Sequence, residues 1–337
     1  MRGRGASLDV NTVGNQETLE PPLTPDPSPP KGRGEKTSIM CDLTGKRILI
    51  TGAGRGLGRE FARTFAAAGC EVVVTDIAAD RVAETVSLLH DAGGLAAGYV
   101  MDVTDPQSVR DVRHKILSER GPVDLLLNNA GIVFAGAFED VSLERHLATY
   151  QINLLGLITV THTFLPDLLR QPEGHVINIA SASGYIPLPF AATYASTKWA
   201  VIGFSESLAE ELRLTGNGHV QVTTVCPSYI ATGMFAGVTL PRFSWFLTPE
   251  RVAKLTVRAV RRNQDVVRTP WFVKITPLAK ALFPRPVFRW FCDWLNVSTG
   301  MTSWRGLAAT KPLVEAHSLV NMSASRTSNA ASEPSPV

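Results

Sequence analysis

The chain has 337 residues, 45% of them hydrophobic and 19% charged, and a formal net charge of +3. This is the make-up of a globular protein with a sizeable core, long enough for one large or two ordinary domains, and it lacks the strong basic excess of a nucleic-acid-binding chain. The cysteines Cys41, Cys70, Cys226 and Cys292 match no zinc spacing, so the sequence predicts no metal, no structural disulfide and a reducing, cytoplasmic setting.

Residues 1–39 hold almost no apolar periodicity. The proline-dense run from Pro21 to Pro30 can form neither a helix nor a central strand, and no signal-peptide core precedes it. A disordered extension is expected there, with a proline-rich ligand segment as the functional alternative. Met40 reads as an alternative start. The Ser-, Ala- and Asn-rich stretch 311–337 is expected to be disordered as well.

Between Lys46 and Arg268 short β-rich runs alternate with helical periods. Strands are predicted at 47–51, 71–76, 96–101, 124–128, 175–180, 220–226 and 265–268. Helices are predicted at 57–68, 79–91, 106–119, 142–150, 156–170, 193–214 and 249–262. Continuous apolar runs such as Val72-Val73-Val74 and Leu125-Leu126-Leu127 indicate parallel strands covered on both faces. Asp105 before Pro106, and Thr248 before Pro249, have the pattern of an N-cap followed by proline at the first helical position. Repeated βα units define an α/β fold with a doubly wound parallel sheet in a single domain, 40–270, whose ligands bind at the carboxyl ends of the strands.

The stretch Thr51-Gly52-Ala53-Gly54-Arg55-Gly56-Leu57-Gly58 lies between the first strand and the first helix. Its glycines allow a tight turn and a close backbone approach, and the following helix N-terminus points unpaired N–H groups at an anion. Together they suit a dinucleotide pyrophosphate. Asp76, ending the second strand, can accept hydrogen bonds from ribose hydroxyls and repel a 2′-phosphate, which favours NAD. Arg55 pulls toward NADP, because a guanidinium in the glycine loop can pair with that phosphate. Asp102 after the third strand, with Val103 beside it, is placed to meet the adenine. Asn128-Asn129-Ala130-Gly131 after the fourth strand offers a flat backbone shelf tied down by asparagines.

Tyr194 and Lys198 are four residues apart and share one helical face. An ammonium beside a phenol stabilises the phenolate, so Lys198 is expected to lower the Tyr194 pKa. Ser181 stands 13 residues earlier, just past the fifth strand, with Ser183 as a competing hydroxyl. Asn153 is a polar residue between Ile152 and Leu154, suited to anchoring a water near Lys198.

These motifs, in this order and at this spacing, resemble the short-chain dehydrogenase/reductase family over roughly 44–270. The resemblance implies a Rossmann-type sheet of seven strands, nicotinamide-dependent hydride transfer and a homodimer or homotetramer. It implies Tyr194 as general acid/base, Lys198 as its activator and a ribose ligand, Ser181 as positioner of the substrate oxygen, and Asn153 in a proton relay. Cofactor contacts are implied for Gly52, Arg55, Gly56, Leu57, Gly58, Asp76, Asp102, Val103, Asn129, Ala130, Gly131, Tyr194 and Lys198. Pro227-Ser228 stands where the family usually has Pro-Gly, so the carboxamide contact is assigned to Thr232 and the Ile230 backbone.

The segment 228–247 holds Tyr229, Met234, Phe235, Phe243, Trp245 and Phe246, and reads either as an apolar lid or as a stretch packed on its own domain. Residues 271–310 form a C-terminal aromatic and basic segment. Within it 271–295 is too short and too charged to span a bilayer, and reads as an interfacial membrane element, a dimer contact or a flap over the pocket. The aromatic tail loosely resembles the retinol dehydrogenase and epidermal-type 17β-hydroxysteroid dehydrogenase branch. The expected activity is NAD-preferring oxidoreduction of a lipophilic alcohol or ketone. The alternatives are an NADPH-dependent 3-oxoacyl or carbonyl reductase and a non-catalytic dinucleotide-binding sensor.

Overall fold

The computed structural model describes residues 41–306. The expectations for 1–39 and 311–337 lie outside these residues. Every predicted strand is present, with its ends within one residue of the prediction. These are β1 (Arg47–Thr51), β2 (Glu71–Asp76), β3 (Ala96–Val100), β4 (Leu125–Asn128), β5 (Gly174–Ile179), β6 (Val220–Pro227) and β7 (Val266–Thr269). They pair in parallel in the order β3-β2-β1-β4-β5-β6-β7. The chain reverses direction between β1 and β4, so a crevice opens at the carboxyl ends of those two strands.

The strand alternation divides the core into two layers. Ile48 and Ile50 of β1, with Val72 and Val74 of β2, face α1 (Gly56–Ala67), α2 (Ala79–Asp91) and α7 (Pro249–Arg261). Leu49 and Val73 point the other way, toward α3 (Pro106–Glu119), α5 (Leu157–Leu168) and α6 (Ala192–Leu214). The central strands are therefore buried on both faces, which is why β1, β2 and β4 read as unbroken apolar runs. The predicted caps form: Asp105 accepts from the Gln107 N–H at 2.8 Å and Thr248 from the Arg251 N–H at 3.3 Å.

Three helical features depart from the sequence reading. Ser142, predicted helical, is the extended residue preceding α4 (Leu143–Tyr150). Gln151–Gly156 is a π-helical turn that joins α4 to α5 without a break. The segment after Pro270 folds into α8 (Trp271–Leu282) and α9 (Arg285–Trp294). Pro284 and Pro286 sit at the start of α9, where a missing N–H costs nothing. No helix among the described residues is long and apolar enough to cross a membrane. All four cysteines are free.

Candidate active site

The glycine turn between β1 and α1 is shaped by contacts that leave no room for a Cβ at Gly52, Gly54 or Gly58. Gly52 and Gly56 have φ of +62° and +55°. A Cβ on Gly58 would lie 2.0 Å from the Gly52 carbonyl oxygen. Arg55 precedes α1 in an extended conformation, no side chain caps the helix, and no acid lies in its first turn. The first N–H groups of α1 are thus available to an anion. Asn129 holds the far side of the crevice: its Nδ2 donates to the Thr51 and Gly52 carbonyls at 2.9 and 3.1 Å. The Thr51 hydroxyl accepts from the Asn129 and Ala130 N–H groups, both at 3.0 Å. This cradle, closed to a Cβ at Gly52, Gly54 and Gly58 and open to an anion, fits a dinucleotide pyrophosphate.

At the β2 end Asp76 is buried and turned back on the glycine loop. Its Oδ2 accepts from the Gly54 N–H at 3.0 Å and its Oδ1 from the Ala78 N–H at 3.1 Å. Each oxygen retains a lone pair for a ribose hydroxyl. Sequence reading missed Arg81, on the first turn of α2, whose Cβ packs against Gly54 and whose side chain lines the same crevice. Burial pulls the Arg55 pKa down, the Arg81 charge pulls it the same way and the Asp76 carboxylate opposes them. Asp102 is half-buried, its Oδ1 accepting from the Thr104 N–H and hydroxyl at 2.9 and 2.7 Å, and Val103 is buried beside it.

Ser181, Tyr194 and Lys198 meet in the same cleft, and all three are buried. Ser181 accepts from the Ser183 N–H at 3.1 Å, which leaves its own proton for the Tyr194 phenol. The Ser183 hydroxyl is buried in the cleft and has no partner among the described residues. Lys198 donates from Nζ to the Ile179 carbonyl at 2.8 Å, and Nζ lies 5.7 Å from the Tyr194 ring centre. Burial pushes the Tyr194 phenol up to about 12, against a lowering hydrogen bond from Ser181, and pushes the Lys198 ammonium down to about 8. Loss of water therefore dominates the phenol, while the Lys198 ammonium is turned to the Ile179 carbonyl.

Asn153 lies in the π turn. Its Oδ1 accepts from the Ile132 N–H at 2.8 Å, and its Nδ2 donates to the Ile132 carbonyl at 2.9 Å and to Thr197 Oγ1 at 3.3 Å. Both amide donors are therefore committed to protein, and the side chain joins the loop after β4 to the helix that carries Tyr194. Thr232 approaches the glycine loop, its Cβ 3.5 Å from where a Cβ on Gly56 would lie. Ile230 is held by a bridge to Leu247.

Beyond Tyr194 the cleft is walled by aromatic rings. Phe235 meets the Tyr194 ring edge-on at 6.1 Å and the Tyr229 ring at 5.3 Å. Within the segment 228–247, Tyr229, Phe235 and Leu247 are buried, whereas Phe243, Trp245 and Phe246 are exposed. The whole cleft has a volume of about 1070 Å³ and runs from the glycine loop to Phe272, Phe283 and Phe288 of the C-terminal helices. Among the described residues no cluster of His, Cys, Asp or Glu could hold a metal ion.

Comparison with known proteins agrees with this geometry. The family model for short chain dehydrogenase matches residues 46–241, so the chain belongs to that family. It is 31% identical over 245 residues to estradiol 17-beta-dehydrogenase 11 of Rattus norvegicus, covering 72% of this chain and 81% of that protein. It is 32% identical over 264 residues to the ketoacyl reductase HetN of a Nostoc strain, covering 75% of this chain and 91% of that one. A short chain dehydrogenase/reductase from Burkholderia phymatum, solved in complex with NAD, superposes with a TM-score of 0.66 at 27% identity, covering 75% of this chain and 97% of that one. The protein is an oxidoreductase that acts on a hydroxyl or keto group of a small molecule with NAD or NADP.

Proposed function

We propose that the protein interconverts a lipophilic alcohol and its ketone or aldehyde, with NAD preferred. The observation that carries this reading is the aromatic-walled cleft leading from Tyr194 to α8 and α9, which suits a bulky apolar substrate. When bound, the nicotinamide cofactor accepts or supplies the hydride. Ser181 donates to the substrate oxygen and holds the carbinol carbon in place. Tyr194 takes the hydroxyl proton in oxidation and returns it in reduction. Lys198 supplies the positive charge that the phenolate requires, and a ribose hydroxyl is a further partner for its Nζ.

Asn153 is assigned to positioning, since the remaining lone pair of Oδ1 is all its side chain has left for a relay water. Gly52, Gly56, Leu57 and Gly58 cradle the pyrophosphate, with Arg55 at its edge. Asp76 binds the adenosine ribose, Asp102 and Val103 flank the adenine, and Asn129, Ala130 and Gly131 form the shelf for the nicotinamide half. Thr232 and the Ile230 backbone hold the carboxamide. NAD preference rests on the Asp76 carboxylate, which faces the ribose end and repels a 2′-phosphate.

A homodimer or homotetramer is proposed on the exposed Leu147, Leu155 and Ile158 along α4, the π turn and α5, and peripheral contact with a membrane surface on 271–295. A second reading is an NADPH-dependent 3-oxoacyl reductase. Arg55 and Arg81 beside the ribose site favour it, as does the likeness to the Nostoc ketoacyl reductase.

The test is cofactor reduction by the full chain, with NAD and NADP separately, against retinol, a hydroxysteroid, a long-chain alcohol and short alcohols. Turnover confined to the lipophilic members supports the reading. Turnover of short alcohols or acyl thioesters alone moves the assignment to the reductase. Cofactor binding without turnover of any member makes the protein a sensor.

A further inference from the structure

The two helices after β7 carry apolar stripes that face solvent. On α8, Trp271, Ile275, Leu278 and Leu282 recur at helical spacing and all are exposed, Trp271 at 63%. On α9, Val287, Trp290, Phe291 and Trp294 do the same, Trp290 at 60%. A helix with one solvent-facing side normally shows the reverse pattern.

The rings of this surface form one continuous row. Phe243 lies 6.3 Å from Trp294, Trp294 stacks 6.4 Å from Trp290, Trp290 meets Phe291 at 5.0 Å, and Phe291 meets Phe283 at 5.6 Å. The charge around the row has one dominant sign. Arg285 and Arg289 occupy the side of α9 away from its apolar stripe, Lys274 and Arg242 are exposed nearby, and Asp293 is the single acid in 271–295.

Several members of the row also line the cleft. Phe243, Phe283 and Phe291, with Trp271 and Ile275, are both solvent-exposed and part of the cleft wall. The mouth of the active-site cleft therefore opens through the apolar surface itself. We propose that this mouth seats in an anionic phospholipid surface and that the cleft draws its lipophilic substrate directly from the acyl layer. The proposal rests on the lipophilic-substrate reading above.

A lipid surface fits better than a second copy of the chain. A two-fold interface sets the same patch against itself and would close the mouth of the cleft, which opens through that patch, with the partner's own apolar rings. Anionic headgroups complement those cations while tryptophan rings settle at the headgroup level. Neither helix is long enough to cross, so both would lie along the interface.

Flotation of the full chain with phosphatidylcholine vesicles, with and without phosphatidylserine, tests the docking. Turnover of a long-chain alcohol dissolved in those vesicles, beside the most water-soluble alcohol the protein accepts, tests the loading route. Trp290→Ser/Trp294→Ser changes residues outside the cleft wall, and Arg285→Glu/Arg289→Glu inverts the charge. The wild type should float with the anionic vesicles and detach at high salt, and both double variants should bind at least about tenfold less. The tryptophan variant should lose at least about tenfold of its rate on the vesicle-borne alcohol and stay within about twofold on the soluble one.

Absence of flotation by the wild type, or equal loss on both alcohols, overturns the proposal. So does a tryptophan variant that turns from dimer to monomer in gel filtration yet still floats, which would identify a second copy as the occupant. Lipophilic turnover from cyclodextrin that vesicles do not accelerate overturns the loading route and keeps the substrate reading. Flotation without turnover of any lipophilic alcohol overturns the substrate reading and the route together.

Discussion

Lys198 spends its buried ammonium on the main chain of β5, donating to the Ile179 carbonyl at 2.8 Å while its Nζ stays 5.7 Å from the Tyr194 ring centre. The fold thus encloses a cation that has no carboxylate partner among the described residues, and burial pushes that cation down to about 8. A group held this way opposes folding. Below pH 8 both the folded and unfolded chains carry the charge, and the penalty is on the order of 3 kcal/mol.

Lys198→Met should therefore abolish turnover and raise the thermal midpoint by a few degrees, after the lost hydrogen bond to Ile179 offsets about 1 kcal/mol of the gain. From pH 8 to about 10.5 the unfolded lysine keeps a proton that the folded one has shed, so wild-type stability from this group rises with pH and the gap to the variant closes. Melting curves at pH 7 and pH 9.5 check this, and a variant less stable than the wild type at pH 7 would refute it.

Tyr194→Phe removes the proposed proton carrier and leaves the ring contact with Phe235 in place. Turnover should fall by about 10³-fold or more, while cofactor affinity, measured by fluorescence titration, should change by less than about threefold. Retained turnover would mean that another group moves the proton, and the buried, unpartnered Ser183 hydroxyl in the same cleft would be the first to replace.

The dinucleotide cradle was legible because its chemistry is local: the glycines and the helix start lie in consecutive residues, and the strand-end acid Asp76 closes the very next strand. Tyr194, Lys198 and Ser181 were legible from helical spacing and their place after β5. Arg81 was not, since an arginine in the first turn of a surface helix has no pattern of its own, and only the packing of α2 against Gly54 brings it to the ribose end. The π turn at Asn153 was equally silent, because one extra residue in a helical turn leaves the apolar spacing almost unchanged. Helices α8 and α9 carried no clear signal either, because proline-rich 271–295 has Pro284 and Pro286 at the start of α9, where they open the helix.

Gly58→Ala is expected to disable the cradle. The added Cβ would sit 2.0 Å from the Gly52 carbonyl oxygen and 2.6 Å from Asn129 Nδ2, so β1's turn and the Asn129 shelf must separate. Both NAD and NADP affinity should drop by at least about tenfold, and stability by 1–3 kcal/mol on the order of other overpacked sites. Isothermal titration and melting measure the two effects, and unchanged affinity for both cofactors would show that the pyrophosphate lies elsewhere.

Asp76 and Arg81 set opposite charges along the crevice, and on the proposed reading their balance sets the preference between NAD and NADP. Asp76→Asn keeps an amide oxygen for the Gly54 N–H and removes the charge that repels a 2′-phosphate. The kcat/KM ratio of NAD to NADP should fall by roughly tenfold. Arg81→Ala removes a cation from the same end and should move the ratio the other way, toward NAD. Steady-state rates on one alcohol with each cofactor give both ratios. If the aspartate variant leaves the ratio unchanged while the arginine variant shifts it, the guanidiniums alone select the cofactor and Asp76 serves only to hold the loop at Gly54.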